Sequence, residues 1–276
     1  MQARRFDLEW FLRPVFGVLL AALALGSMLG GGIWFALFIA AVTLAGAREW
    51  HRMISGGPYF PYAAISMGAI GAALGAPLAM PEASHGLLLL ILGGGAVANL
   101  LLAAVRHNRL LWQAAGPLYL GIPGVALYAL RGLPGHGLSL VLVLFAAVWA
   151  TDTGALVSGK LIGGPKLAPA LSPNKTWAGF LGGAMIAAAV VAGIMVALGG
   201  NWVRGAVFGA AIALFSHAGD LFESWVKRGV GRKDSGHLIP GHGGVLDRID
   251  SILFAVPACA AFVFVFGVQT IFGAPL

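Results

Sequence analysis

Apolar residues fill the chain in blocks of about twenty, broken by short stretches rich in glycine or charge. A helix needs ~20 apolar residues to cross the hydrocarbon core of a bilayer. On that spacing the sequence predicts nine spans, near residues 14–30, 31–47, 60–80, 86–105, 114–130, 137–158, 177–199, 204–225 and 249–272. Only the glycines at 30–32 separate the first two. The blocks are apolar on every side of a helical wheel, which favours spans over helices lying on a membrane surface. Two GxxxG pairs, Gly26/Gly30 and Gly71/Gly75, mark candidate close helix crossings. No repeat or long Pro/Ser linker divides the chain. The expectation is an all-α integral membrane protein forming one polytopic domain over 1–276, with N-terminal spans in 1–135 and two polar loops among the spans of 136–276.

Composition agrees. The 276 residues are 59% hydrophobic and 10% charged, against roughly 25% charged in soluble domains. That is too little polar surface to cover a water-exposed globule. The net charge of +7 comes from basic residues scattered over short loops. They form no single stripe, so a nucleic-acid partner is set aside. Sorted by the nine spans, 15 of the 17 Lys and Arg residues fall on one side, leaving Arg131 and Arg204 on the other. The positive-inside rule then puts the N-terminus in the cytoplasm and the C-terminus outside. The first span, led by Arg4, Arg5 and Arg13, resembles a signal peptide with a weak site at Ala24-Leu25-Gly26. Apolar sequence resumes at once, which favours an uncleaved span. The lone Cys259 cannot form an intrachain disulfide.

The polar chemistry gathers after Val148. One loop runs "WATDTGALVSGKLIGGPKLAPALSPNKTWAGFLGG" from Trp149 to Gly183, and another reads "KRGVGRKDSGHLIPGHGGVLDRID" from Lys227 to Asp250. Asp220 and Glu223 are three apart on a predicted helix, as are Asp247 and Asp250 at the start of the ninth span, and each pair shares a face. Asp247 and Asp250 alone are explained by the helix macrodipole and by Arg248. Four carboxylates flanking one loop can also converge on one or two hard divalent cations. Lys227, Arg228, Arg232 and Lys233 suit a phosphate clamp, with topology as the plainer role for Arg232. Gly241, Gly243 and Gly244 in "PGHGG" permit tight turns whose amides hold anions. His242 suits a hydrogen bond to phosphate or base. His237 is better read as structural. No zinc spacing surrounds either histidine. In "SPNKTW", Ser172, Lys175 and Thr176 stand where a helix N-terminus can hold a phosphate.

Two features point elsewhere. "GALVSGKL" fits G-x-x-x-x-G-K, but Leu161 stands where a P-loop needs Ser or Thr, and the stretch follows a span instead of a strand. Asp152, deeper in the sixth span, is either functional or hydrogen-bonded to Thr151 or Thr153.

The stretch "SWVKRGVGRKDSGHLIPGHGGVLDRID", Ser224 to Asp250, resembles the signature of the phosphatidate cytidylyltransferases, or CDP-diacylglycerol synthases. The pattern S-x-x-K-R-x4-K-D-x-G-x2-(apolar)-P-x-H-G-G-x-x-D-R-x-D is met without a break. "TDTGA", "SGKLIGGPKLAP" and "SPNKTWAGFLGG" are similar to that family's other polar loop, although Ala178 stands where members often carry Glu or Gln. The likeness covers Trp149 to Asp250. It implies transfer of CMP from CTP to phosphatidic acid, giving CDP-diacylglycerol and pyrophosphate for phospholipid biosynthesis. It also implies dependence on Mg²⁺ with K⁺ as companion, a homodimer, and a multi-pass place in the bacterial cytoplasmic (inner) membrane. Asp220, Asp247 and Asp250 match the family's acidic metal positions. On this reading Lys227, Arg228 and Lys233 hold triphosphate or pyrophosphate. Ser172 and Lys175 take the lipid phosphate, and Thr176, His242, Gly243, Gly244 and Arg248 complete the substrate surface. The rivals are CTP-dependent nucleotidyl or phosphoryl transfer to another lipid, and an ion-coupled transporter, whose polar groups would sit at mid-span in both halves. A CDP-alcohol phosphatidyltransferase is disfavoured, since no D-G-x2-A-R-x8-G-x3-D-x3-D run occurs.

Overall fold

A computed structural model describes residues 17–80, 82–236, 238–239 and 243–272. The protein is an all-α integral membrane protein with one small hairpin. Its helices are α1 (Gly17–Gly30), α2 (Gly32–Ser55), α3 (Phe60–Ala79), α4 (His85–Val105), α5 (Leu110–Arg131), α6 (Gly137–Leu161), α7 (Trp177–Ala197), α8 (Trp202–Gly229), α9 (Leu246–Phe266) and α10 (Gln269–Phe272). Strands β1 (Lys166–Ala168) and β2 (Ser172–Thr176) pair antiparallel between α6 and α7. Among the described residues, eight helices, α2 to α9, are long and apolar enough to cross a membrane. The remaining expected span, 14–30, is helical from Gly17, and its first residues lie outside the described ones.

Three expectations are amended. The second span does not stop at 47: α2 continues to Ser55, because Trp50, Met53 and Ile54 keep a buried stripe going beyond the charged Arg48. The ninth breaks at Gly267, whose φ of 77° ends α9 before α10. The loop expected between the sixth and seventh spans contains the hairpin, with Lys166 opposite Thr176 and Ala168 opposite Ser172.

The chain clusters into two compact units. The first comprises residues up to Tyr128 together with Gly229–Ile249. In it α3 packs on both α2 and α4. A buried polar chain ties α2 to α3, α4 and α5: His51 Nδ1 meets Gln113 Oε1 at 2.6 Å, His51 Nε2 meets Ser66 Oγ at 2.7 Å, and Asn99 Nδ2 donates to Ser66 Oγ at 2.8 Å. Burying such groups is tolerable only because they satisfy one another. Trp50 Nε1 donates to the Trp112 carbonyl at 2.8 Å, fixing the last turns of α2 on α5.

The second unit comprises Ala129–Arg228 and Asp250 onward. Its most extensively packed pair is α6 and α7. Small residues bring their backbones together: a Cβ on Gly179 would come 2.8 Å from the Ala155 carbonyl oxygen, and one on Gly183 2.8 Å from that of Thr151. This is the close-approach geometry of membrane helices. The GxxxG pairs singled out in the sequence do not work this way. A Cβ on Gly26, Gly71 or Gly75 would meet nothing within 4 Å, and one on Gly30 would meet only Trp34.

Candidate active site

In the second unit, charged side chains collect where α8, α9 and the hairpin approach. Lys175, at the end of β2, forms an ion pair with Asp220 on α8. One turn along, Glu223 is completely buried and lies 3.3 Å from Lys227. Asp250, at the start of α9, stands beside Glu223 and is within electrostatic reach of Asp220 and Lys227. Gly219 permits the approach, since a Cβ there would run into the Asp250 carbonyl oxygen. Arg228 donates through Nε to the Leu171 carbonyl at 3.4 Å, joining the end of α8 to the turn of the hairpin.

The hairpin explains how Lys175 is aimed. Pro173 precludes a helix at this point, and pairing with β1 carries the chain straight into α7. Thr176 then caps α7, its Oγ1 accepting from the Gly179 amide at 3.1 Å. That cap satisfies one of the free amides at the helix start. Ser172 is half-buried in β2. The G-x-x-x-x-G-K string lies wholly inside α6, so it has no phosphate-binding loop. Asp152 is exposed on α6, while Thr151 donates to its own helix at Ala147.

The first unit holds the signature loop. Asp247 accepts the Ser235 amide at 3.2 and 3.1 Å and the Gly244 amide at 2.9 Å. Gly243 takes a φ of 81° and pairs with Ile239, whose amide donates to the Gly243 carbonyl at 3.0 Å. Non-glycine residues rarely adopt that backbone. Lys233 and Arg248 are exposed. His242, with His237, Pro240 and Gly241, lies outside the described residues.

Of the four acids named in the sequence, Asp220, Glu223 and Asp250 come together in the second unit, and Asp247 is engaged with loop amides in the first. Among the described residues, no three His, Cys, Asp or Glu side chains are arranged as a ready-made metal site. The donor chemistry still suits a hard cation. Every candidate ligand is a carboxylate oxygen, and Asp220 and Asp250 stand close enough to need positive charge, to which Lys175 and Lys227 contribute here.

One residue escaped the sequence reading. Glu49 on α2 is 2% exposed, and its Oε2 accepts the Leu246 amide at 2.9 Å. The spacing of Ala47, Trp50 and Ile54 around it, which continues the helix past Arg48, was the available signal.

Comparison with known proteins identifies the family. The family model described as "Cytidylyltransferase family" matches residues 11–266. The phosphatidate cytidylyltransferase of Brucella suis biovar 1 is 39% identical over 268 residues, covering 92% of each chain. That of Pseudomonas aeruginosa is 37% identical over 274 residues, covering 95% of this chain and 98% of its own. That of Haemophilus influenzae is 48% identical over 138 residues, or 48% of each chain. With a match spanning nearly its whole length and relatives of this similarity, the chain belongs to the cytidylyltransferase family.

Proposed function

We propose that the protein transfers the cytidylyl group of CTP to phosphatidic acid, leaving CDP-diacylglycerol in the bilayer and releasing pyrophosphate. The carrying observation is the acid–lysine cluster of Lys175, Asp220, Glu223, Lys227 and Asp250, set at the ends of membrane helices. The reaction joins two anions, so its barrier is largely electrostatic. An oxygen of the lipid phosphate attacks the α-phosphorus of CTP, and the bond from that phosphorus to the bridging oxygen of the β-phosphate breaks. The attacking oxygen is already ionised, so no strong general base is required. Lys227, Arg228 and Lys233 neutralise the triphosphate and the departing pyrophosphate. Lys175 and Ser172 receive the lipid phosphate. The acyl chains remain in the bilayer beside the apolar helices.

Asp220 and Asp250 would hold Mg²⁺, and Asp247 is assigned to the cation from the acidic positions of the sequence signature. Bound Mg²⁺ would supply charge neutralisation for the two approaching phosphates. The polar loops face the cytoplasm, where CTP is found; support comes from the 15 of 17 basic residues that sort to that side. A bacterial cytoplasmic membrane and a homodimer complete the reading.

The test is purified protein with phosphatidic acid vesicles, Mg²⁺ and CTP labelled on either the α- or the γ-phosphate. Label from the α position is expected in CDP-diacylglycerol, with one pyrophosphate released per lipid. Label from the γ position in lipid, or cytidylyl transfer only to other lipid acceptors, would overturn the proposal.

A further inference from the structure

Glu49 stands beneath the signature loop. Besides the Leu246 amide, its Oε2 accepts the Ser235 hydroxyl at 3.4 Å. Two loop glycines close around it: a Cβ on Gly236 would lie 2.5 Å from Oε1, and one on Gly244 2.5 Å from Oε2. A side chain at either position would displace the carboxylate. The same segment is gripped from its other side, because the Ser235 and Gly244 amides donate to Asp247. Leu246 is the first residue of α9, so its amide is one that the helix cannot satisfy internally. Glu49 supplies that partner from another helix, and its negative charge suits the N-terminal end of the α9 dipole. Its neighbours on α2 are anchored: Trp50 to Trp112, and His51 to Gln113 and Ser66.

We propose that Glu49 is a positioning residue for the reaction: it fixes Ser235, Gly236, Gly244 and the start of α9 at Leu246, and through them the orientation of Asp247. It touches no substrate. The kinetic arm rests on the cytidylyl-transfer reading, whereas amide exchange of the loop does not, so the two can fail separately.

The experiment compares wild type with Glu49→Gln, Glu49→Asp, Gly236→Ala and the double variant Glu49→Asp/Gly236→Ala, in detergent micelles. Hydrogen–deuterium exchange of the 235–246 peptide is measured alongside kcat, KM for CTP and thermal unfolding. Glu49→Gln keeps the size but loses the charge. It is expected to raise loop exchange at least tenfold and lower kcat at least tenfold. Exchange across α6 and α7, and the thermal midpoint, should stay near wild type. Gly236→Ala alone should reproduce the loss, and the shorter acid of the double variant should recover part of it. Unchanged loop exchange in Glu49→Gln would overturn the proposal. So would a kcat loss no greater than the loss of folded protein, or no recovery in the double variant.

Discussion

Lys175, at the end of the hairpin, and Asp220, in the second half of α8, are ion-paired. This contact links the two polar stretches that lie some forty residues apart in the chain. It gives the lysine proposed to receive the lipid phosphate a defined direction. Lys175→Met should lower kcat/KM for phosphatidic acid, and Asp220→Asn should reduce turnover roughly 100-fold, as removal of one group from a preorganised electrostatic site does. The double variant should lose much less than the two losses combined, because the partners act as a unit. Steady-state assays on the three variants check this.

Asp247→Asn retains an oxygen that can accept an amide but removes the charge. Its thermal midpoint should stay close to wild type and CDP-diacylglycerol formation should be abolished. Near-normal turnover in purified variant protein would remove Asp247 from the cation site.

Chelation should stop the reaction without unfolding the protein. With excess EDTA, transfer of α-label to lipid should fall to background and return on adding Mg²⁺, while circular dichroism of the helices is unchanged. Activity that persists in EDTA would exclude the cation role given to Asp220 and Asp250.

Glycines at close crossings should differ from glycines on open faces. Gly219→Ala would press on the Asp250 carbonyl and should cost roughly 1–3 kcal/mol of stability, as overpacking does. Gly71→Ala has open space around it and should be neutral or slightly stabilising. Unfolding midpoints of the two variants in one detergent give the comparison.

Thr176→Val removes the cap of α7 at nearly constant volume. The expected cost is about 1 kcal/mol, read as a lower midpoint. Thr176→Ser should recover most of it.

Hydropathy alone made the spans legible, because a bilayer demands ~20 apolar residues whatever the packing. Packing was not legible. GxxxG strings occur wherever glycine is abundant, and the partners that make Gly179 and Gly183 important lie on another helix. The acids were readable from their spacing of three on helices. Their countercharges were less so: Lys175 reaches Asp220 only because a five-residue strand, invisible to a helical count, redirects the chain. Glu49 was missed because the hydropathic run ends at Arg48, whereas the helix continues on a buried stripe and carries the acid with it.

The grouping of Gly229–Ile249 with the first 128 residues has a bearing on how relatives recombine. Chimeras that exchange the N-terminal helices alone would set a foreign cradle under a native loop, and they should express yet turn over poorly. Crossovers that move α2 and the glycine-rich segment as one inheritance should survive, even though nearly two hundred residues of sequence lie between them.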